Sequence, residues 1–335
     1  MHPMPLERGN NPCLQIQVDL SAMLDGELDP ASVRRVMVHS DVCQSCRAFL
    51  DGVRQQVRLH RTLAATMAVD ASGESAGTGR LREQLTVNRR RLSKILYELG
   101  RCFVLMGLSP DFSKEVANEP VPVPDMAMRG RNLLDEVARS ELGAIGPEWV
   151  TARELFDGQL RSPEENLSKG QRLLSECLAL DAGAYEARIY MGLVHYVRGQ
   201  RALSRKQFAS VLAECEDPVV RGYALLNLGN IHLDEGDCDG AVELLLRLID
   251  SGVVREQPRM TTTAFFNLGL AYGLKGQFDS CLHWFGRLHE ETPHRRSWVQ
   301  RELGRRRQFL HLIRSNPKAR VVAETFPAWF ASAAW

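Results

Sequence analysis

The chain of 335 residues lacks any long apolar run: no stretch reaches the ~18 uninterrupted apolar residues that a membrane-spanning helix requires. Glu7, Arg8 and Asp19 interrupt the first thirty residues, so no signal-peptide core forms there. The tail from Val321 to Trp335 is apolar and aromatic, but it is short and carries Glu324 and Pro327. Charge of one sign is also missing. Forty-two Lys and Arg face 41 Asp and Glu, for a net charge of +1, and no global field draws the chain onto nucleic acid or an anionic membrane. Common catalytic signatures are absent too: no Walker loop, no dinucleotide glycine fingerprint and no Gly-x-Ser-x-Gly elbow. His289 and His294 bracket Glu-Glu-Thr-Pro. Five residues apart with a proline between them, they cannot share a helical face as zinc-protease histidines do. Arg301, Arg305, Arg306 and Arg307 read as a solvated helix end. These absences predict a cytoplasmic protein that is not an enzyme and has neither a membrane nor a direct nucleic-acid partner.

The composition that remains, 25% charged and 44% hydrophobic, is that of a globular chain of two or three domains. Eight cysteines in so long a chain do not make a secreted disulfide framework. Cys102, Cys177, Cys215, Cys238 and Cys281 are scattered, and each reads as a small buried hydrophobe. Cys13, Cys43 and Cys46 are different, because they accompany a histidine.

Residues 1–66 read as a small helical unit. Ile16, Leu20, Met23 and Leu24 recur on one helical face. Asp25-Gly26 ends that helix, and Asp29-Pro30 starts a second with a capping aspartate and a proline in the first turn. Val33, Val36 and Met37 line the second helix, and His39 sits at its close. A third helix carries Phe49, Leu50, Val53 and Val57. Three such helices bury a thin core and need a staple. His39-x3-Cys43-x2-Cys46 supplies metal ligands: two thiols three residues apart share a helix face, and a helix N-terminus favours thiolate. Structural zinc takes four ligands. Cys13, opening the first helix, is the natural fourth, with His2 as the alternative. One structural zinc ion would then tie all three helices together.

Leu20-Ser-Ala-Met-Leu-Asp-Gly-Glu-Leu-Asp29, followed by His39-x3-Cys43-x2-Cys46 and preceded by Cys13, resembles the zinc-binding anti-sigma factor family. Met23 stands where the family usually has an aromatic. The resemblance covers about residues 10 to 66. It implies a cytoplasmic regulator of transcription that sequesters an extracytoplasmic-function sigma factor, with Cys13, His39, Cys43 and Cys46 holding zinc. Thiolates are both ligands and oxidation targets, so the sequence also permits a redox branch in which oxidation of Cys13 with Cys43 or Cys46 expels the ion.

Residues 67–147 read as a linker region. Asp70–Gly79 is small and polar. Leu81, Leu85, Leu92, Ile95, Leu96, Leu99, Phe103 and Met106 then form an apolar helical stripe opposite Arg89, Arg90, Arg91 and Lys94. Such a helix either packs with its charges solvated or binds a membrane or a partner. In the resembled family, a helix in this place clamps the sigma factor after a flexible connection. Glu119–Asp125, with alternating prolines, reads as an extended spacer.

Residues 148–315 repeat themselves. Gly192, Gly229 and Gly269 each follow an apolar residue and precede a second glycine by seven residues, at Gly199, Gly236 and Gly276. Phe208, Leu245 and Phe285 each fall 16 residues after the first glycine, and the units recur 37 and then 40 residues apart. This resembles the tetratricopeptide repeat, with departures at Ser204 and Cys281, where that family favours alanine. Residues 148–181 look like a degenerate first repeat, with Leu173, Leu174 and Leu178 on its second helix. The resemblance implies a helical solenoid whose groove holds a second protein or peptide. Asn227, Asn230, Asn267 and Tyr272 are its candidate groove residues. The sequence thus predicts an all-α chain: a zinc-stapled unit (1–66), a linker region (67–147), a repeat solenoid (148–315) and an apolar tail (316–335). The rival to a sigma-binding function is a repeat scaffold whose zinc module is purely structural.

Overall fold

The computed structural model describes residues 12–25, 27–67, 76–123, 148–155 and 161–331. His2, Gly26, residues 70–75 of the polar stretch, residues 124–125 after the Pro-rich strand and the last four residues of the tail lie outside them, as do the side chains of Leu24 and Leu81. The fold is all-α, and among the described residues the strands are two of four residues each. None of the described helices is long and apolar enough to cross a membrane. The chain divides into two compact units, Met1–Tyr190 and Met191–Trp335.

The first unit opens with α1 (Pro12–Asp25), α2 (Pro30–Val42) and α3 (Gln44–Met67). Asp29 caps α2 as its position ahead of Pro30 predicts, accepting hydrogen bonds from the Ala31 and Ser32 amides at 2.8 and 3.1 Å. Ile16, Leu20, Met23, Val33, Val36, Met37, Leu50 and Val57 are buried between the helices. Phe49 departs from the expected stripe: it faces outward and is 39% exposed.

The region read as a linker is part of this unit. Helix α4 (Ala76–Leu108) buries Leu85, Leu92, Ile95, Leu96, Leu99, Phe103 and Met106 and packs on α1, α2 and α3. Its basic face stays outward, with Arg90, Arg91 and Lys94 exposed and Arg89 donating to the Leu180 carbonyl at 2.7 Å. Of the two readings its sequence left open, packing with solvated charges is the one observed; α4 is not a detached clamp. After α5 (Pro110–Ala117), the Pro-rich stretch forms β1 (Pro120–Val123), antiparallel to β2 (Glu148–Thr151) with Pro122 opposite Trp149. The stretch is extended as expected, but it is a strand rather than a spacer. A proline can sit only where its missing donor faces away from the ladder. With prolines at 120 and 122, both point to the same outer edge, which leaves the Pro122 carbonyl on that edge as well.

A short α6 (Ala152–Leu155) and then α7 (Pro163–Leu180) complete the described elements before α8 (Tyr185–Val197). Ser162 and Glu165 form a reciprocal capping box at the start of α7. The reading of residues 148–181 as a first repeat does not hold. The helix that pairs with α7 is α4, some sixty residues upstream in the sequence, and residues 148–151 are a strand. Glycines explain the pairing. A Cβ on Gly170 would lie 2.7 Å from Val104 Cγ2 and 2.9 Å from the Gly100 carbonyl oxygen, and one on Gly107 would lie 2.8 Å from the Pro163 carbonyl oxygen. The two backbones approach because each glycine leaves room for the facing backbone and for Val104, Leu167 or Leu174.

The second unit begins within α8 and continues through α9 (Arg201–Glu214), α10 (Pro218–Asp234), α11 (Cys238–Asp250), α12 (Pro258–Leu274) and α13 (Phe278–Glu291). The predicted glycine spacing is realised in space. A Cβ on Gly192, Gly229 or Gly269 would meet the side chain of Phe208, Leu245 or Phe285 at 2.5, 3.0 or 2.2 Å, so each glycine admits the large residue 16 positions on. The second glycines end the first helix of each hairpin in the left-handed region, with φ of 73, 81 and 75° at Gly199, Gly236 and Gly276. The departures also fit. Buried Ser204 donates its hydroxyl to the Gly192 carbonyl at 2.8 Å, and Cys281 lies buried in the place Ala241 takes in the middle hairpin.

Helices α14 (Arg296–Arg305), α15 (Arg307–Ser315), α16 (Arg320–Thr325) and α17 (Pro327–Phe330) close the stack. The apolar tail belongs to the core. Phe326 stacks on Trp329 at 4.6 Å, and Trp329 meets Phe285 edge-on at 5.6 Å. Phe309, Trp329 and Phe330 are buried. The tail therefore covers the end of the last hairpin, which a repeat stack otherwise leaves exposed. The groove candidates are less open than expected. Asn267 is buried and donates to Asn230 Oδ1, bridging α12 to α10, and Asn227 donates to the Tyr223 carbonyl on its own helix at 2.8 Å.

The glycine seam gives a direct contrast. Gly170→Ala, which drives a methyl into backbone atoms of α4, is expected to cost about 1–3 kcal/mol in urea unfolding. Gly286→Ala on α13, with nothing within 4 Å of the new methyl, should be neutral or stabilising by up to about 1 kcal/mol through helix propensity. Equal effects would contradict the packing described.

Candidate metal centre

Cys13, His39, Cys43 and Cys46 converge. Their ligand atoms all lie within 4.8 Å of one another, and all four residues are buried. Cys13 comes from the first turn of α1. His39 comes from the last turn of α2. Cys43 is the single extended residue between α2 and α3, with φ −85° and ψ 115°, and its amide still donates to the His39 carbonyl at 2.8 Å. Cys46 lies in the first turn of α3, where Arg47 N–H donates to the Cys43 carbonyl at 3.0 Å. The break at one residue is what turns His-x3-Cys-x2-Cys inward: His39 closes one helix, Cys46 opens the next, and Cys43 is the hinge.

The distances suit a tetrahedral ion. Cys13 Sγ lies 3.6 Å from Cys43 Sγ and 3.8 Å from His39 Nε2. A zinc ion with Zn–S bonds of about 2.3 Å separates its sulfurs by about 3.8 Å, whereas a disulfide needs about 2.05 Å. None of the eight cysteines is joined in a disulfide.

The histidine is oriented from behind. His39 Nδ1 lies 2.7 Å from the Pro122 carbonyl oxygen. A carbonyl only accepts, so Nδ1 carries the proton and Nε2 turns its lone pair toward the three sulfurs. Arg34 and Arg35 hold the Glu119 carboxylate at 3.3 and 3.8 Å, which fixes the start of β1 against α2. Burial keeps the imidazole neutral by lowering its pKa, opposed in part by the bond to Pro122. Burial likewise raises the pKa of Cys13 and of Cys46; Cys43 adds to the rise at both, while Cys46 offsets part of it at Cys13. Three thiols and a neutral imidazole gathered in an apolar interior are a soft donor set that fits zinc and leaves no coordination position for water.

The scattered cysteines are not part of any such group among the described residues. Burial raises the pKa of Cys102, Cys177 and Cys281 to about 12, 11 and 12, as expected of inert core thiols. Cys215 is buried and Cys238 half-buried. The sequence reading missed the Pro122 carbonyl. Its one trace was the proline alternation, which fixes the edge that carbonyl occupies but not its partner. It also missed Asp41, between His39 and Cys43, whose buried carboxylate takes ion pairs from Arg161 and Lys169.

With this geometry in view, comparison with known proteins is informative for one segment. The family described as "Putative zinc-finger" matches residues 13–47, which begin at the first candidate ligand and end one residue past the last. No curated protein matches the chain. The N-terminal helices thus form a zinc-finger-like segment with a Cys3His cluster able to hold a metal ion.

Two outcomes follow. Metal uptake near pH 7 should expel at least the protons of Cys13 and Cys46, measurable by calorimetry in buffers of different ionisation enthalpy. Acidification should reverse it. Because the folded imidazole pKa is lowered, the neutral ligand is stable above about pH 6.5 and is lost as pH falls further. Val121→Pro removes a donor that faces β2 and displaces the Pro122 carbonyl. It should weaken zinc binding about 10–100-fold, and unchanged affinity would contradict the role given to that carbonyl.

Proposed function

We propose that this protein is a zinc-dependent anti-sigma factor: one structural zinc ion held by Cys13, His39, Cys43 and Cys46 organises a helical unit that sequesters an extracytoplasmic-function sigma factor, and a tetratricopeptide-like stack recruits a second protein. The observation that carries this reading is the buried Cys3His cluster inside a segment matched by a zinc-finger family typical of anti-sigma factors. The zinc has no catalytic part, since all four positions are taken by protein and no other chemistry converges on it.

The surface supports a protein partner. Leu14 and Val18, one turn apart on α1, are 58% and 59% exposed, and Phe49 at the start of α3 is also turned outward. Large apolar side chains left on the outer faces of the zinc helices suit a helical partner. Because α4 is packed against the same helices, the binding surface in this reading is the outer face of α1 and α3 rather than a clamp by α4. In the second unit, the hairpins α8/α9, α10/α11 and α12/α13 share the spacing and glycine turns of the tetratricopeptide family, which supports a role in holding protein segments.

The Cys13–Cys43 approach also favours a redox branch. An oxidant such as hydrogen peroxide would take two electrons from the two thiolates, form the disulfide and discharge the ion.

The test is co-purification of the full-length, zinc-loaded chain with the sigma factor encoded beside its gene. Binding is expected to be retained on gel filtration and lost in Cys43→Ser, and Leu14→Asp/Val18→Asp should abolish it while zinc content stays at one equivalent. A zinc-loaded protein that binds no sigma factor would leave the scaffold reading, with a purely structural zinc module, in its place.

A further inference from the structure

Beside the metal centre, on the outer side of α2, the first unit has a surface depression of about 540 Å3 lined by Asp41, Arg47, Arg161, Ser168, Lys169 and Arg172. Its floor is Asp41, whose side chain is only 5% exposed. One carboxylate oxygen pairs with Arg161 and the other with Lys169, while Arg47 donates to the Asp41 backbone carbonyl. Arg172 stands at the rim, 70% exposed and 3.7 Å from Glu176, a carboxylate already 3.3 Å from Arg54. Among the lining residues four cations face one carboxylate. Outside the lining, Arg54 pairs with Asp51 at 2.7 Å as well as with Glu176, and Glu165 caps α7, where it accepts from the Ser162 amide and hydroxyl at 2.8 Å each.

The cations are built in rather than waving. Lys169 Nζ lies 4.5 Å from the centre of the Phe103 ring and the Arg161 guanidinium 5.9 Å from it, so one aromatic face positions both. Lys169 is pushed down to about 8, first by burial and then by the repulsion of Arg172. Next to Asp41, Asn166 is buried with Oδ1 unpartnered, in a pocket that shares Asp41 and Arg161 with the depression.

We propose that this depression is a binding site for a phosphate-class anion, held between Lys169, Arg161, Arg47 and Arg172. The four cations of the lining against its single carboxylate decide the class. A single carboxylate would leave the cluster strongly cationic, whereas a phosphate or diphosphate brings it near balance and offers several oxygens to guanidinium forks. The volume falls within the range of small-ligand sites, about 300–1,000 Å3. Asp41 and the bound anion would compete for Arg161 and Lys169. Since Asp41 lies two residues from both His39 and Cys43, occupancy would be felt at the end of α2, where two of the candidate metal ligands sit.

The test is calorimetric titration of the full-length chain with inorganic phosphate and pyrophosphate at matched ionic strength. Saturable one-to-one binding is expected, tighter for pyrophosphate. Arg172→Glu, at an exposed position that leaves the fold intact by circular dichroism, should weaken it at least tenfold, as should Lys169→Met. Lys206→Glu, a surface lysine of the second unit, should leave it unchanged. Adenosine diphosphate separates the sources: tighter binding than pyrophosphate assigns a nucleotide, equal binding an inorganic anion, and both support the site. Absence of saturable binding, full affinity in Arg172→Glu, or an equal loss in Lys206→Glu would overturn the proposal.

Discussion

The hydrogen bond from His39 Nδ1 to the Pro122 carbonyl is the contact on which the candidate centre depends. It fixes the tautomer, turns the imidazole lone pair toward Cys13, Cys43 and Cys46, and joins residues 83 positions apart. Without it, a buried neutral imidazole could present either nitrogen to the sulfurs. With it, the ring is a ligand in one orientation before any ion arrives, which lowers the entropic cost of assembling the site. The carbonyl is itself placed by backbone chemistry: prolines at 120 and 122 can pair with β2 only if their nitrogens face outward, and the Pro122 oxygen faces outward with them.

That link changes what the metal is asked to do. Three short helices alone would rely on zinc as their main staple. In the first unit, α4 and α7 bury a further apolar set, Leu92, Ile95, Leu96, Leu99, Phe103, Leu167, Leu173 and Leu174 among them, and α4 packs directly on the zinc helices. Hydrophobic burial therefore holds the helices near one another, and the Cys3His cluster fixes their ends: the start of α1, the end of α2 and the start of α3.

Much of this was legible in the sequence, and the exceptions have physical causes. The Asp29-Pro30 start of α2, the convergence of Cys13 with His39, Cys43 and Cys46, and the spacing from glycine to large apolar residue in the second unit follow from local geometry: caps, helix faces and close backbone approach. What eluded the sequence was long-range pairing. Residues 148–181 have the apolar pattern of a repeat helix, but nothing in them states that the partner of α7 is α4; the close approach is made possible by Gly100 facing Gly170 and Gly107 facing Pro163 and Leu167 across the seam. Phe49 fits an amphipathic stripe yet is 39% exposed. Asn267 shares its register with Asn227 but is buried against Asn230, so equivalence in the repeat did not mean equivalence in exposure. The cationic cluster around Asp41 was invisible for the same reason: Asp41 and Arg47 lie more than a hundred residues from Arg161, Lys169 and Arg172, and a net charge of +1 conceals them.

The most direct test of the central claim is zinc K-edge X-ray absorption on the purified full-length protein. It should give one zinc site with three sulfurs at about 2.3 Å and one imidazole nitrogen at about 2.0–2.1 Å, with no light-atom scatterer left for water. A first shell of two sulfurs and two nitrogens or oxygens, or a zinc ion bound without sulfur, would contradict the assignment of Cys13, His39, Cys43 and Cys46.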